Sequence, residues 1–584
     1  MSNDQETGQL NSEHTKKGAF RWYLVVSFLV ISASLTCFVV HTVARIEDKY
    51  FQTHRVFLDP AVYQEHLFKL WQASHQKSRF ELAWSELTNP AEGGEIPPLA
   101  FRTIPLLLLN PDWLKDPHAH LITSGFSLFI FLCLLLHTVY RRTNRFLYAA
   151  ATAALVCGTP GIYDPVFGLG AFWLDLSAGF LGSSAALCLI NSENGKKLVW
   201  LAGFAVLAAG SLLSRFVTGP YLFIQGAPLL CIYLLQRWRQ TGSFLKGVLA
   251  PVVLVGGILC LLTAWYIWRQ TPAQLFYYTQ DAYGYKDLLG SAKFVFSTTL
   301  SFLGPNFALL CAGVFLCQVV FGFRVAWPGL VECFWLAVAE GVFLTVTCQI
   351  SDAPYTMQYS VPILLFALLC PIDWRRQETL PHLRFITIPA KVLSPLILLI
   401  AAGVSLDQTL HHSLWKPRGP TPAEVDRKAV NDSLTDEIMR QFPDKVIGAY
   451  FDQFDEYAFV TAFERFGRLP LLLSDRVFDI RAEYLQARFP RKSPKELADM
   501  ACREAVEKCD IVLVFNDPAA AFKPAPFDYG WCLNPYSEEI ASRLAQLVRS
   551  DPQWKELFVV PSKYLPGGVA AYANLHRFPE AHAD

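Results

Sequence analysis

About eleven apolar runs, each near the length needed to cross hydrocarbon, leave this chain few ways to fold. Inside a bilayer no water is at hand for backbone N–H and C=O groups, so a spanning segment must be a helix or part of a closed barrel. A helix rising 1.5 Å per residue needs about 20 apolar residues to cross. The first run, Trp22 to about Val43, meets that length. It lacks the short core and small-residue cleavage site of a signal peptide, so it reads as an uncleaved anchor. The others fall near 119–139, 146–163, 167–190, 198–214, 217–235, 247–268, 299–321, 326–348, 355–372 and 385–406. Only 17% of residues are charged, against about a quarter in soluble domains, which agrees with that count. The expected fold class is a polytopic α-helical membrane protein of about eleven helices with a C-terminal soluble α/β domain.

Charge in the connecting segments sets the orientation. Alternate loops hold Arg141, Arg142 and Arg145; Lys196 and Lys197; Arg237, Arg239 and Lys246; Arg324; and Arg375, Arg376 and Arg384. The opposite set holds far fewer. The positive-inside rule then puts the N-terminus in the cytoplasm of a multi-pass inner membrane protein. An odd number of spans puts the C-terminal region outside. A formal net charge of zero argues against a nucleic-acid partner, which would call for phosphate-neutralising cations.

Three outward segments result. The long first one, 44–118, carries Asp59 ahead of an amphipathic pattern through Val62, Leu67, Leu70 and Trp71, and later Arg102. The second is short and holds Asp164 before Pro165. The third, 269–298, is aromatic and carries Lys286 and Lys293. Asp59 has two readings, a helix cap accepting backbone N–H bonds or a catalytic base. Asp164 reads as a turn acid or a functional one, and Arg102 as a headgroup anchor or a phosphate contact. Arg215, at a span's outer end, either snorkels or binds. Asp175, Glu332, Glu340 and Lys391 fall within spans, where a lone charge is costly and calls for a partner or a cavity. An acid–Lys391 pair is the structural expectation.

From about Asp407 the composition turns soluble. A linker at 417–422 precedes strands at 445–450, 469–474, 510–515 and 556–561, alternating with helices near 454–466, 494–508 and 537–549. That alternation predicts a largely parallel sheet. No glycine-rich phosphate loop opens any of these helices. Of the fourteen cysteines, only Cys502, Cys509 and Cys532 lie here, allowing one disulfide at most, and none of the fourteen has zinc-ligand spacing.

An acid in a long outer segment after span one, a second after span three and an outer domain at the C-terminus together resemble the C-type membrane glycosyltransferases. The resemblance is to the branch of the protein O-mannosyltransferases and the lipid A aminoarabinose transferases. Their first-loop pattern Asp-Glu-x-x-Tyr is matched by Asp59-Pro-Ala-Val-Tyr63, with Pro60 in place of the second acid. Their Arg-Tyr before a proline-containing late span is matched by Gln358-Tyr359 and Pro362. The resemblance covers residues 20–406 in topology. It implies an inverting transfer of a sugar from a polyprenyl-phosphate donor to a lipid, glycan or protein acceptor, in contact with membrane lipid. Asp59 would be the base and Asp164 would orient it or the acceptor. Tyr63, Gln358 and Tyr359 would contact substrate, and Arg102, Arg215, Lys286 and Lys293 would supply cations for the phosphate. No cofactor is implied, with a divalent cation as the one addition the chemistry would accommodate. The other readings are a transporter or flippase of a lipid-linked saccharide and a membrane scaffold. No duplicated halves of the transporter kind are visible.

Overall fold

The computed structural model describes residues 3–51, 66–67, 70–88, 100–116, 118–164, 168–170, 175–215, 218–279, 288–322, 332, 335–336, 339, 365–366, 396–405, 407, 422–442, 445, 447–449, 492–518, 537–564 and 566–579. The chain divides into two compact units, Met1–Glu47 with Gln76–Pro417, and Asp48–His75 with Arg418–Asp584.

The first unit is helical. Helix α1 (Asn3–Phe51) leads on to α2 (Arg79–Thr88) and α3 (Ala100–Leu109). A 3-10 turn at Pro111–Lys115 follows, with Pro111 at its first position and the Asn110 side chain accepting from Asp112 N–H. Then come α4 (His120–Thr143), α5 (Phe146–Cys157), a second 3-10 turn (Pro160–Tyr163), α6 (Asp175–Asn191), α7 (Leu198–Ser214) and α8 (Thr218–Thr241). A π turn at Leu245–Leu249 runs into α9 (Ala250–Thr279), followed by α10 (Leu288–Leu303) and α11 (Pro305–Gly322). A short apolar helix, α12, spans Leu396–Ser405.

Among the described residues three helices are long and apolar enough, by length and composition, to cross a membrane: Trp22–Glu47, His120–Thr143 and Leu245–Trp268. Helix α4 packs against α5 and α6. Leu128, Phe131, Leu132, Leu135 and Leu136 are fully buried, and Phe131 meets Phe180 of α6 at 5.4 Å between ring centroids. Elsewhere large apolar side chains face outward, with Val199 83%, Leu261 81% and Trp268 84% exposed. Water would penalise that surface, and hydrocarbon does not.

Two expectations change here. The run at 299–321 is broken at Gly304, which takes φ +78° between α10 and α11. Pro305 pushes the residue before it out of the helical region, and glycine accepts a left-handed backbone at no steric cost. The segment 269–298, expected as a loop, is largely helical, because α9 runs to Thr279 and α10 begins at Leu288. The expected spans at 326–348 and 355–372 lie almost entirely outside the described residues.

Glu332 pairs with Arg142 of α4, whose guanidinium also lies 5.4 Å from the centroid of the Phe366 ring. One of the acids within the expected spans thus meets an arginine, while Lys391, and so the expected acid–Lys391 pair, lies outside the described residues. Beside it Arg141 donates to Asn191 O at 2.8 Å and pairs with Glu193. A hydrogen bond from Lys197, with Arg141 nearby, holds the Glu193 carboxyl below the usual glutamate range.

The second unit carries α13 (Pro422–Gln441), β1 (Ile447–Ala449), α14 (Pro494–Lys508), β2 (Ile511–Phe515), α15 (Ser537–Ser550), β3 (Trp554–Val560) and β4 (Val569–Asn574). Strand order is β1-β2-β4-β3. Among the described strands only β1 and β2 run parallel, and β4 is antiparallel to both of its neighbours. The sheet is thus mixed rather than largely parallel. The difference arises at the Gly567–Gly568 turn, where both residues take positive φ and reverse the chain into β4. The expected strand at 469–474 and helix at 454–466 lie outside the described residues. Cys502 and Cys509 are buried, and burial pushes the Cys502 thiol up to about 12. In the amphipathic stretch after Asp59, Leu67 and Leu70 are buried.

Removing one member of a buried ion pair strands the other, at a cost of about 3–5 kcal/mol, whereas replacing both with apolar groups is near neutral. Glu332→Ala is expected to lower the melting temperature of the detergent-solubilised protein more than the double change Arg142→Met/Glu332→Leu does.

Candidate active site

At the end of the bundle where α4 begins, polar side chains gather from five places in the chain. Arg102 of α3 is 4% exposed. Its neighbour Ile104 packs beside Leu213 of α7 and Tyr266 of α9, which fixes the short helix against the bundle. Arg102 Nη2 donates to Ser124 Oγ at 2.9 Å and to Ser177 Oγ at 2.7 Å. The two hydroxyls are 3.1 Å apart, joining α4 to α6.

Four residues before Ser124, and so on the same face of α4, stands His120. Its Nε2 lies 2.6 Å from Gly170 O. A carbonyl only accepts, so this nitrogen carries the proton and donates. Glu47, near the end of α1, is 1% exposed. Its Oε1 is 3.9 Å from the same His120 nitrogen, and its Oε2 is 3.2 Å from Nδ1 of His118. One buried carboxylate is thus held between two imidazoles. Asp116 Oδ1 accepts from the His118 backbone N–H at 2.9 Å and shapes the turn that aims the first ring.

A further contributor is the segment after α5. Tyr163 donates its hydroxyl to Cys157 O at 2.7 Å, and Asp164, 5% exposed, closes the 3-10 turn. Gly168 N–H donates to Asp164 O at 2.7 Å, and Leu169 N–H to Ile162 O at 2.8 Å. A Cβ on Gly170 would lie 2.5 Å from Glu47 Oε1, so the backbone passes against the carboxylate where no side chain fits.

Of the expected site residues, Arg102 and Asp164 both come to this end of the bundle, buried. Arg215 ends α7 there. Its N–H donates to Ser211 O at 3.0 Å, and Ser211 Oγ donates to the carbonyl of Ala178, next to Ser177. Lys293 is on the exposed face of α10, in a helix and not in the expected loop. Asp59, Tyr63, Lys286, Gln358 and Tyr359 lie outside the described residues. Reasoning from sequence did not single out Glu47, His118, His120, Ser124 or Ser177. The available signal was an acid closing an apolar run and a His-x-His pair opening another. Among the described residues no three His, Cys, Asp or Glu side chains are arranged to hold a metal ion.

No family model and no curated protein sequence matches the chain. Solved structures do. ArnT from Cupriavidus metallidurans, bound to undecaprenyl phosphate, is similar over 94% of this chain and 98% of its own, at 12% identity and a TM-score of 0.51. The fold is that of the C-type membrane glycosyltransferases. AglB from Archaeoglobus fulgidus, in complex with an inhibitory peptide and a dolichol-phosphate, aligns over 95% of this chain and 74% of its own, at 14% identity and a TM-score of 0.43. The mycobacterial arabinofuranosyltransferase AftD aligns over 93% and 41%, at 13% identity and a TM-score of 0.42.

Overpacking a tight contact costs about 1–3 kcal/mol. Gly170→Ala is expected to displace the Glu47 carboxylate and lower thermal stability by that amount. Gly257→Ala, where an added Cβ meets nothing within 4 Å, serves as the neutral comparison in the same melting experiment.

Proposed function

We propose that the chain is a polytopic membrane glycosyltransferase. It moves a sugar from a polyprenyl-phosphate donor to a lipid, glycan or protein acceptor on the outer face, with inversion at the anomeric carbon. The N-terminus is cytoplasmic and the C-terminal unit extracytoplasmic. The observation that carries this reading is Arg102, a buried guanidinium flanked by the Ser124 and Ser177 hydroxyls within a C-type fold. The planar guanidinium fork matches phosphate oxygens in pairs, and neighbouring hydroxyls can share in binding the same anion. Charge grows on the phosphate as the glycosidic bond breaks, so donors placed there stabilise the transition state more than the ground state. Arg215, at the same end of the bundle, adds positive charge, and Lys286 is the further candidate.

The acceptor hydroxyl must lose its proton as it attacks. Asp59, in the first outer segment, is the base nominated by the sequence pattern, and Asp164 orients the acceptor or that base. A positioned base contributes typically ~10²–10⁴-fold. Tyr63, Gln358 and Tyr359 are proposed substrate contacts.

Mass spectrometry of envelope glycolipids and glycoproteins tests this directly. A deletion strain should lose one defined sugar mass, and complementation with Asp59→Asn should fail to restore it while the protein is present in the membrane. Full restoration by Asp59→Asn removes that residue from catalysis. Arg102→Ala should fail likewise. Arg102→Lys, a point charge without the fork, should restore only a small fraction. An unchanged glycan profile in the deletion strain would sink the transferase reading itself.

A further inference from the structure

The end of the first unit away from Arg102 carries a run of cations to which the proposed function gives no role. We propose that two turns there, 192–197 between α6 and α7 and 242–249 between α8 and α9, form a binding face for the headgroup of an anionic phospholipid. The proposal goes beyond sugar transfer and needs only that the helices stand in a bilayer.

One guanidinium builds the face. Arg237, near the end of α8, donates through Nε to Lys246 O at 3.2 Å and through Nη1 to Gly195 O. The backbone at 195 and the backbone at 246 therefore meet at a single side chain. Gly195 takes φ +75°, and a Cβ there would lie 3.8 Å from Arg237 Cδ, so this turn is seated against the arginine. On its other side Arg141 of α4 donates to Asn191 O and pairs with Glu193, which Lys197 also meets at 2.8 Å. The stretches 193–197 and 237–246 hold Lys196, Lys197, Arg237, Arg239 and Lys246 against one acid, Glu193. That acid is taken by Arg141 and Lys197. Lys196, Arg239 and Lys246 are exposed, and among the described residues none of them has an acid within ion-pair distance.

The surroundings select the anion. Large apolar side chains border the cations: Val199 is 83% exposed, Leu245 63% and Phe244 56%. The Trp238 ring meets Phe244 edge-on at 5.8 Å between centroids and is itself exposed. A soluble anion would satisfy the charges and leave that apolar surface in water. A phospholipid meets both, its phosphate taking the cationic heads and its chains covering the apolar rim. Tryptophan beside long cationic side chains is the pattern of a membrane–water boundary. The phosphate of the sugar donor is a separate matter, because it belongs to the other end of the bundle. From Ser124 to Arg141 along α4 is roughly 25 Å at 1.5 Å per residue.

The test uses the full-length protein in dodecyl maltoside at low salt, titrated with phosphatidylglycerol or phosphatidylcholine, with bound lipid counted by native mass spectrometry. Each Lys or Arg close to an anionic surface strengthens binding about 5-fold, so three give ~10²-fold. The wild type should prefer phosphatidylglycerol by about that factor, and the triple change Lys196→Gln/Arg239→Gln/Lys246→Gln should lose the preference while still binding phosphatidylcholine. Arg237→Gln, which releases the two turns from one another, should weaken it as well. Lys495→Gln on α14, in the other unit, should leave it intact. Raising NaCl to about 1 M should erode the wild-type preference, since exposed charges are then screened. A wild type that holds the two lipids equally, or a triple variant that keeps the full preference, overturns the proposal. So does inorganic phosphate that displaces phosphatidylglycerol at millimolar concentration, which would assign the face to a soluble anion. Should the triple variant fail to accumulate, a photoactivatable phosphatidylglycerol is crosslinked to the wild type and mapped by peptide mass spectrometry. Label on 193–200 and 237–249 supports the face, and label confined to other peptides overturns it. No arm reads sugar transfer, so each outcome leaves the transferase reading where it stood.

Discussion

A carboxylate placed at the end of a crossing helix and shut off from water has to be met by donors, and the organisation of one end of this bundle follows from meeting Glu47. Burying an ion costs several kcal/mol even after relaxation, so its partners must be held in place as firmly as it is. His118 supplies one from the turn that opens α4, and His120, its own N–H given to Gly170 O, stands 3.9 Å from the other oxygen. His120 in turn fixes Gly170, and so anchors the whole segment that follows α5. Three stretches far apart in sequence are thereby tied at one point. Substitutions at Gly170 or His120 act on the same knot from different sides.

Helix α4 carries the two ends of the unit in one rigid rod. His120 and Ser124 stand at its beginning, and Arg141 and Arg142 at its last turn. The chemistry at the two ends differs. Near the first, several groups converge on single atoms, and near the second, each arginine has one main acid. The Arg142–Glu332 pair ties two parts of the chain together.

The apolar runs were legible in the sequence because hydrocarbon acts on every residue of a span at once. Helices α4 and α7 therefore appear close to where the runs place them. Arg102 and Asp164 were legible as charges in segments expected to connect apolar runs. Glu47 was not, because an acid closing a helix looks the same whether it faces water or two histidines seventy residues away. Ser124 and Ser177 carry no signal of their own, and only Arg102 makes them polar partners and not helix-packing residues. Gly304 was visible as a glycine before a proline, yet the continuous apolar run around it concealed the break. Strand β4 has the sequence Val-Ala-Ala-Tyr-Ala-Asn, too rich in alanine to show a strand pattern, although all six residues are buried.

That last strand governs when the second unit can assemble. Strand β4 is the final strand of the sheet in the order of synthesis, yet it sits between β2 and β3, hydrogen-bonded on both sides. Until it emerges, β2 and β3 have no direct ladder with one another and the sheet exists only as fragments. The sheet therefore closes only once β4 has been made. A frameshift or nick just after Gly568 would take out the middle of the sheet and not its margin.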